Sequence, residues 1–405
     1  MTPPELDRPR LAPLDPRPVT LGDGSQGILL RDPLGVLPEE PVLTAPAWVV
    51  LAHCDGNHSV EDIHRALERL GAAAKRDLVE GLIEHARNVG ILEGPAYAGL
   101  RDRAVADYRR APVRKSSCAG SSYPADAKEL RAEFEGYLAP PEGPGAAKKA
   151  GRQPRRRSPV TLLVSPHIDY ARGGHCYAHA WRAAAERCDA DLFVVFGTAH
   201  ASPEHLFTLT RQSYATPLGT MATDADVVDR VAFELGEEEV LADELCHKGE
   251  HSCELPMVWL QYLLAGRDYR VLPVLCSSIS QLSDPARATD PFLRALRRAV
   301  AGRKVCYVAG ADLAHVGPQF GDPRPPTREE LRALAAEDRH TLSFVEKGDA
   351  AGFHRAAVTD DARRRLCGTA PVYAALRMAG VGAHLLHYGQ WTDGVDSVSF
   401  AAAAG

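Results

Sequence analysis

A chain of 405 residues is too long for one ordinary domain and has room for two or three of about 150 residues each. Hydrophobic residues make up 45% and charged residues 25%, and the net charge of −6 excludes a chain built mainly to coat nucleic acid or anionic membrane. Nine cysteines, an odd number scattered over a long chain, fit a reducing compartment with free thiols or metal ligands rather than a disulfide framework.

The opening Met1-Thr2-Pro3-Pro4-Glu5 carries neither the basic nor the apolar region of a secretory signal, and no run reaches ~18 apolar residues. A cytoplasmic protein without a membrane partner is expected. Residues 1–42 are proline-rich and read as loops with one short strand or hairpin at Gly27-Ile28-Leu29-Leu30. Helices are expected at Ala45–Leu51, from a cap at Ser59 to about Leu70, and from Lys75 to about Asn88, followed by an extended arm at Ile91-Leu92. Three short helices and an arm suggest a small, mainly helical winged-helix-like domain over residues 1–100. Between Leu43 and Pro95 eight acids stand against five bases, a net −3, so no basic face is present to neutralise phosphates and DNA binding is not expected. A charged helical linker, residues 101–112, leads to a second domain, residues 113–405.

Inside the second domain, Pro140 to Pro159 is rich in Pro, Gly, Lys and Arg, with Lys148, Lys149, Arg152, Arg155, Arg156 and Arg157, and reads as a solvated loop. After it, β-forming runs at Val160–Val164, Leu192–Phe196, Arg270–Leu275 and Val305–Val308 alternate with helical stretches. These are Gly174–Glu186, Asp224–Leu235, Leu255–Leu264 and Pro291–Val300. That alternation predicts an α/β fold, a central sheet flanked by helices.

The chemistry follows the strands. Val164 runs into Ser165-Pro166-His167-Ile168-Asp169-Tyr170, Phe196 into Gly197-Thr198-Ala199-His200, and Val308 into Ala309-Gly310-Ala311-Asp312-Leu313-Ala314-His315. Three strands thus deliver imidazoles and a carboxylate to their carboxyl ends, where open α/β sheets bind ligands. Glu250 and His251 open a further helix and offer proton transfer or support to a ligand, although capping by Ser252 would explain that segment equally. Cys367 precedes a helix beginning near Pro371, and the positive end of that helix favours thiolate. Two imidazoles with a thiolate suit zinc, copper or iron rather than magnesium or calcium. No G-x-x-x-x-G-K-S/T loop and no G-x-S-x-G elbow is present.

These segments, in this order, resemble the Memo family, which is related in fold to the class III extradiol dioxygenases and includes the protein B of AmmeMemoRadiSam systems. Cys118-Ala119-Gly120-Ser121-Ser122-Tyr123-Pro124 is similar to the family's "HAGSWYP", and Pro166-His167 with Tyr170 and Gly174 to "PHAGYxxxG". Gly197–His200 resembles "GPSHH", Glu250-His251-Ser252-Cys253-Glu254 "EHSxE", and Leu272-Pro273-Val274-Leu275 "IPVLV". Asp312–Gly317 resembles "SDFCHWG", and Cys367-Gly368 with Pro371 resembles "CGxxP". The resemblance implies a metal pocket held by His167, His200 and Cys367, with Asp312 at the same pocket and His315, His251 and Glu250 lining it. The departures are Cys118, Ser122 and Ala201, where the family has His, Trp and His. Asp169 is read as an added oxygen donor or supporting partner.

The first expectation is a redox enzyme dependent on non-haem iron or copper, with zinc as a further candidate ion. The rivals are a hydrolase with Cys367 as nucleophile and His251 or His315 as base, and a non-catalytic adaptor that keeps the pocket. Leu30-Arg31-Asp32-Pro33 and Leu51-Ala52-His53-Cys54-Asp55-Gly56 resemble the PqqD-like peptide-recognition domains. That likeness implies a peptide partner bound along a sheet edge supplied by Gly27–Leu30. A radical SAM protein encoded nearby is the other implied partner.

Overall fold

A computed structural model of the chain describes residues 8–22, 24–69, 71, 75–147, 158–359 and 361–405. The chain forms two compact units, Met1–Ala111 and Pro112–Gly405. The six basic residues of the Pro140–Pro159 segment lie outside the described residues.

The first unit holds strands β1 (Asp15–Thr20), β2 (Gln26–Arg31) and β3 (Val42–Thr44), then helices α1 (Ala45–Leu51), α2 (Val60–Arg69), α3 (Arg76–Asn88) and α4 (Pro95–Arg110). Thr44 caps α1 by accepting from the Ala47 amide. Ser59 opens α2 as expected, exchanging hydrogen bonds with Asp62: each side chain accepts from the other's amide, both at 3.1 Å. Ile63 and Leu67 of α2 and Val79, Ile83 and Ala86 of α3 sit at helical spacing and are buried with Leu30 and Leu92. Asp32 holds the turn after β2, its carboxylate accepting from the amides of Leu34, Val36 and Leu37.

The sheet corrects one expectation. Gly27–Leu30 is not an edge: it lies in the central strand, with Leu29 opposite Arg17 on one side and Val42 on the other. The edges are β3, only three residues long, and β1, where Pro16 and Pro18 remove backbone donors. Those prolines made β1 read as loop.

The second unit contains α5 (Ala127–Leu138), β4 (Leu162–Ser165), α6 (Tyr170–Arg187), β5 (Leu192–Thr198), β6 (Phe207–Leu209), β7 (Tyr214–Thr216), β8 (Gly219–Met221), α7 (Ala225–Leu235) and α8 (Glu237–Leu241). It continues with α9 (His251–Leu263), β9 (Arg270–Cys276), α10 (Pro285–Ala299), β10 (Val305–Gly310), β11 (Asp312–Val316), α11 (Arg328–Lys347), α12 (Ala350–Val358), α13 (Asp361–Arg364), α14 (Thr369–Ala379), β12 (His384–Thr392) and β13 (Ser397–Ala404). The expected α/β fold is present, with a mixed central sheet flanked by helices. Strands run in the order β11, β13, β4, β10, β5, β9, β6, and β12 pairs with β13. The four middle strands β4, β10, β5 and β9 are parallel, while β13 is antiparallel to both β4 and β11. Their near-continuous apolar runs reflect burial on both faces.

Two helices begin earlier than their prolines suggest. Residues Leu255 and Pro291 were the expected starts, but α9 begins at His251 with Pro256 inside it, and α10 begins at Pro285 with Pro291 inside it. Caps decide both starts: the Glu250 carboxylate accepts from the His251 and Ser252 amides, and Asp284 accepts from the Arg287 amide. The C-terminal hairpin was not anticipated. Strand β13 ends in four alanines, good helix formers, yet all eight of its residues are buried between β4 and β11, with α6 packed across it.

Candidate metal centre

The carboxyl ends of the parallel strands and the starts of two helices meet at one place. His167 follows β4, His200 follows β5, Asp312 follows β10 and opens β11, Glu250 and His251 start α9, and Cys367 precedes α14. The donor atoms of His167, His200 and Cys367 lie within 4.8 Å of one another, and so do those of His200, Glu250 and His251. The Cys367 sulfur is 3.2 Å from His167 Nε2, and Asp312 Oδ2 is 3.6 Å from the same nitrogen. The rings of His200 and His251 stack at 4.6 Å, with His167 edge-on to both. His315 is half-buried where it feels the charge of Asp312 and the imidazoles of His167 and His200.

Each imidazole is oriented by its far nitrogen. His167 Nδ1 donates to the Gly310 carbonyl at 2.9 Å, His200 Nδ1 to the Glu250 carboxylate at 2.9 Å, and His315 Nδ1 to the Leu313 carbonyl at 3.1 Å. Nε2 is thereby left with its lone pair, the arrangement that metal-binding histidines adopt. Glu250 is spent on support: it also accepts from the amides of His200, His251 and Ser252. Burial pushes its carboxyl up, but the His200 and His251 imidazoles and these hydrogen bonds outweigh that and hold it far below the usual range.

Two glycines let the parts close. A Cβ on Gly310 would stand 2.3 Å from the Ser252 carbonyl oxygen at the start of α9, and one on Gly368 would stand 2.5 Å from the Asp312 oxygen. Gly310→Ala is therefore expected to destabilise the protein by about 3 kcal/mol, read as a lower urea midpoint, because backbone must move. A midpoint equal to wild type would show that α9 yields freely. Thr198 ties the remaining edge: its hydroxyl donates to the Cys367 carbonyl, and its own carbonyl accepts from Ser252. Backbone strain flanks two donors, since Ser202 (φ 51°) and Arg365 (φ 49°) each lie two residues from His200 and Cys367 respectively. Arg365 is fastened there by the His315 carbonyl and the Asp322 carboxylate.

Three expectations are corrected. Asp169 supplies no donor to the pocket; it caps α6 through the Arg172 amide and pairs with the Arg172 guanidinium. Ser252 does not cap α9; Glu250 does, and the Ser252 hydroxyl reaches back to β5. Cys367 is not a ready thiolate in the metal-free pocket, because burial and then the Asp312 charge push its thiol well above the ordinary value.

Burial also lowers His167 to about 4 and His247 to about 3, from an ordinary 6.5. Unfolded chains bind these protons between pH 6.5 and 4 and the folded protein does not, so stability must fall as pH falls through that window. At about 1.36 kcal/mol per unit the limit is about 3 kcal/mol for His167 and about 5 kcal/mol for His247. The Glu250 shift acts in the same direction below it, and Asp312, raised by burial, acts against it. Metal-free protein is expected to unfold at lower urea at pH 4.5 than at pH 7; equal midpoints would refute this balance.

One structural group escaped the sequence reading. Arg114, buried, pairs with the buried Glu254 carboxylate and donates to the carbonyls of His247 (2.7 Å) and Glu250 (2.8 Å). Glu254 in turn accepts from the amides of Ser117 and Cys118 and from the Tyr123 hydroxyl. The Cys118–Pro124 segment is thus pinned to the start of α9. The final glutamate of the "EHSxE" match was the available signal, one helical turn beyond Glu250.

Residues 114–404 match the family described as Memo-like protein. This chain belongs to the Memo family. Its Memo region fills nearly the whole second unit, where all the residues above reside. A MEMO1 family protein of Methanosarcina acetivorans is 28% identical over 280 residues, covering 68% of this chain and 91% of that protein. One from Methanococcoides burtonii is 29% identical over 211 residues, 51% and 70% of the two chains. Another, from Aquifex aeolicus, is 22% identical over 316 residues, 76% and 78%. No helix among the described residues of this Memo protein is long and apolar enough to cross a membrane.

Proposed function

We propose that the Memo region is a metal-dependent oxidoreductase whose iron or copper ion is held by His167, His200 and Cys367. The observation that carries this reading is the convergence of two nitrogens and one sulfur within 4.8 Å, with Nδ1 of both histidines already engaged. An iron or copper ion in this donor set supplies one-electron chemistry with dioxygen. Asp312, whose carboxyl is raised by burial, can hold a proton beside His167 Nε2, and His251 and His315 can relay one. Glu250 fixes His200 rather than acting on substrate. The test is metal analysis of anaerobically purified protein together with oxygen consumption. Iron or copper near one per chain with oxygen uptake is expected; zinc alone without uptake would overturn the reading.

A second reading rests on the 3.2 Å contact between Cys367 and His167, which is also the geometry of a nucleophile and its base. The base would then be His167 rather than His251 or His315. The raised thiol weighs against it. Iodoacetamide labelling of Cys367 that is unchanged by bound metal would favour this rival.

For the first unit the reading is a PqqD-like winged helix that brings a peptide to the Memo region, with a radical SAM protein encoded nearby as a second partner. The three-stranded sheet followed by helices supports it, as does a cleft of about 530 Å³ lined by Leu37, Pro41, Val89, Ile91 and Leu100. Full-length protein screened against short peptides encoded beside its gene is expected to bind one at micromolar affinity (about −8 kcal/mol); no binding would leave this unit an accessory.

A further inference from the structure

Where α6 packs against α5 and α9, a group of buried aromatic rings begins beside the metal centre. The Tyr177 hydroxyl donates at 2.8 Å to the carbonyl of Ile168, the residue after His167, and its ring feels the Asp312 charge. Tyr177 meets Tyr170 edge-on at 5.1 Å, and Tyr170 stacks on Tyr123 at 5.5 Å with planes within 22°. Trp259 lies 6.2 Å from Tyr170 and 6.3 Å from Tyr177, and 6.4 Å beyond it stands the half-buried Tyr137. We propose that Tyr123 is a redox-active tyrosine, which gives one electron to the metal centre along these rings and its phenol proton to Glu254. The proposal rests on the oxidoreductase reading of that centre.

Three observations carry it. First, the rings from Tyr123 through Tyr170 to Tyr177 are in contact, so an electron crosses in short steps between π systems. Second, a phenol yields an electron readily only when its proton leaves as well, and Tyr123 has a base in place. Its hydroxyl donates to Glu254 Oε1 at 2.5 Å, a short, charge-assisted bond. Burial raises the Glu254 carboxyl, but Arg114 and Tyr123 outweigh that and keep it ionised, while burial and the Glu254 charge keep the phenol protonated. Tyr170 and Tyr177 donate instead to the backbone carbonyls of Leu255 and Ile168, which do not take up a proton, and Trp259 Nε1 has no partner. Those rings pass the electron on, and the oxidised state settles at Tyr123. Third, Tyr123, Tyr170, Tyr177 and Trp259 are each at most 4% exposed, which shields a radical from solvent.

The oxidant is a peroxide acting at the metal of the centre. Its cleavage to water takes up two electrons and two solvent protons; one electron leaves the metal ion and the other leaves Tyr123. Tyr123 becomes a neutral phenoxyl radical and Glu254 a neutral acid. Arg114 disfavours that neutral acid, so the proton returns to Tyr123 when a soluble thiol supplies an electron. Tyr137, whose hydroxyl donates to Glu133 at 2.9 Å, gives that electron its way in through Trp259.

The test uses the metal-free full chain with tris(bipyridine)ruthenium and persulfate, which on a light flash takes single electrons from aromatic side chains. Absorbance and electron paramagnetic resonance follow the tyrosyl radical. Wild type is expected to show a long-lived radical that is lost in Tyr123→Phe, and heavy water is expected to slow its formation because a proton moves with the electron. The substitution removes one hydroxyl and leaves Glu254 with Arg114 and the Ser117 and Cys118 amides, so the fold is kept. Peroxide added to the iron- or copper-loaded chain is expected to raise the same radical, again lost in Tyr123→Phe. The proposal is overturned if the flash radical has equal yield and lifetime in the two proteins, or if heavy water leaves its formation unchanged. A Tyr123-dependent flash radical that peroxide fails to raise would overturn the oxidoreductase reading of the centre and leave the redox-active tyrosine standing.

Discussion

Cys367→Ser is expected to lower iron or copper affinity by more than ~100-fold while the fold is kept. Loss of a partner that merely orients a ligand costs 10–100-fold, so loss of the ligand itself must exceed that range. Serine is nearly isosteric with cysteine, and the surrounding contacts are made by backbone: the Cys367 carbonyl accepts from Thr198, and the Gly368 amide donates to Asp312. Soft metals lose their preferred thiolate when the sulfur becomes a hydroxyl oxygen. Glu250→Gln provides the scale, since the amide can still accept at one atom but no longer carries charge opposite His200; its loss should fall inside the 10–100-fold range. Metal content after dialysis and a competition titration measure both. Should Cys367→Ser retain metal as wild type does, the sulfur is no ligand and the nucleophile reading takes its place.

How much of this was legible before any coordinates depends on what each residue answers to. The parallel strands were readable because burial on both faces writes itself as unbroken apolar runs, as in Leu192-Phe193-Val194-Val195-Phe196. Strand β13 was not, because Ala401–Ala404 have helical propensity and are strand only through the neighbours on either side. Helices α9 and α10 were placed late because an interior proline is read as a start, while a cap several residues upstream outweighs it. The residues expected at the site do converge, since six of the seven sit just after a strand or at a helix start and His315 lies within the short strand β11 that Asp312 opens. Asp169 does not join them: adjacency to His167 says nothing of direction, and its carboxylate turns back on α6. The state of Cys367 was illegible because the helix end is local whereas its burial is assembled from β10, β11 and the rest of the fold. In the first unit, which strand lies at the edge is a property of pairing and cannot be read from Gly27–Leu30 alone.

Arg114→Ala is expected to be the most destabilising single change, about 3–5 kcal/mol in urea unfolding, because it leaves the Glu254 carboxylate buried without its partner. The attraction itself is not the source of that figure; the stranded charge is. Accordingly, adding Glu254→Gln should restore part of the loss, for the amide oxygen in the place of Oε1 still accepts from Tyr123 and the Cys118 amide without a charge to bury, while the Ser117 amide loses its acceptor at Oε2. A double-mutant cycle measures this coupling, expected at ~1 kcal/mol or more. If the two changes add, the pair is not a unit. The consequence reaches the metal centre, because Arg114 also holds the carbonyls of His247 and Glu250. Freed from it, the first turn of α9 loosens, Glu250 loses its aim at His200, and metal affinity should fall 10–100-fold in protein that remains folded. An Arg114→Ala protein that unfolds early yet binds metal as tightly as wild type would separate the two, and would mean that Glu250 is held by its own capping bonds alone.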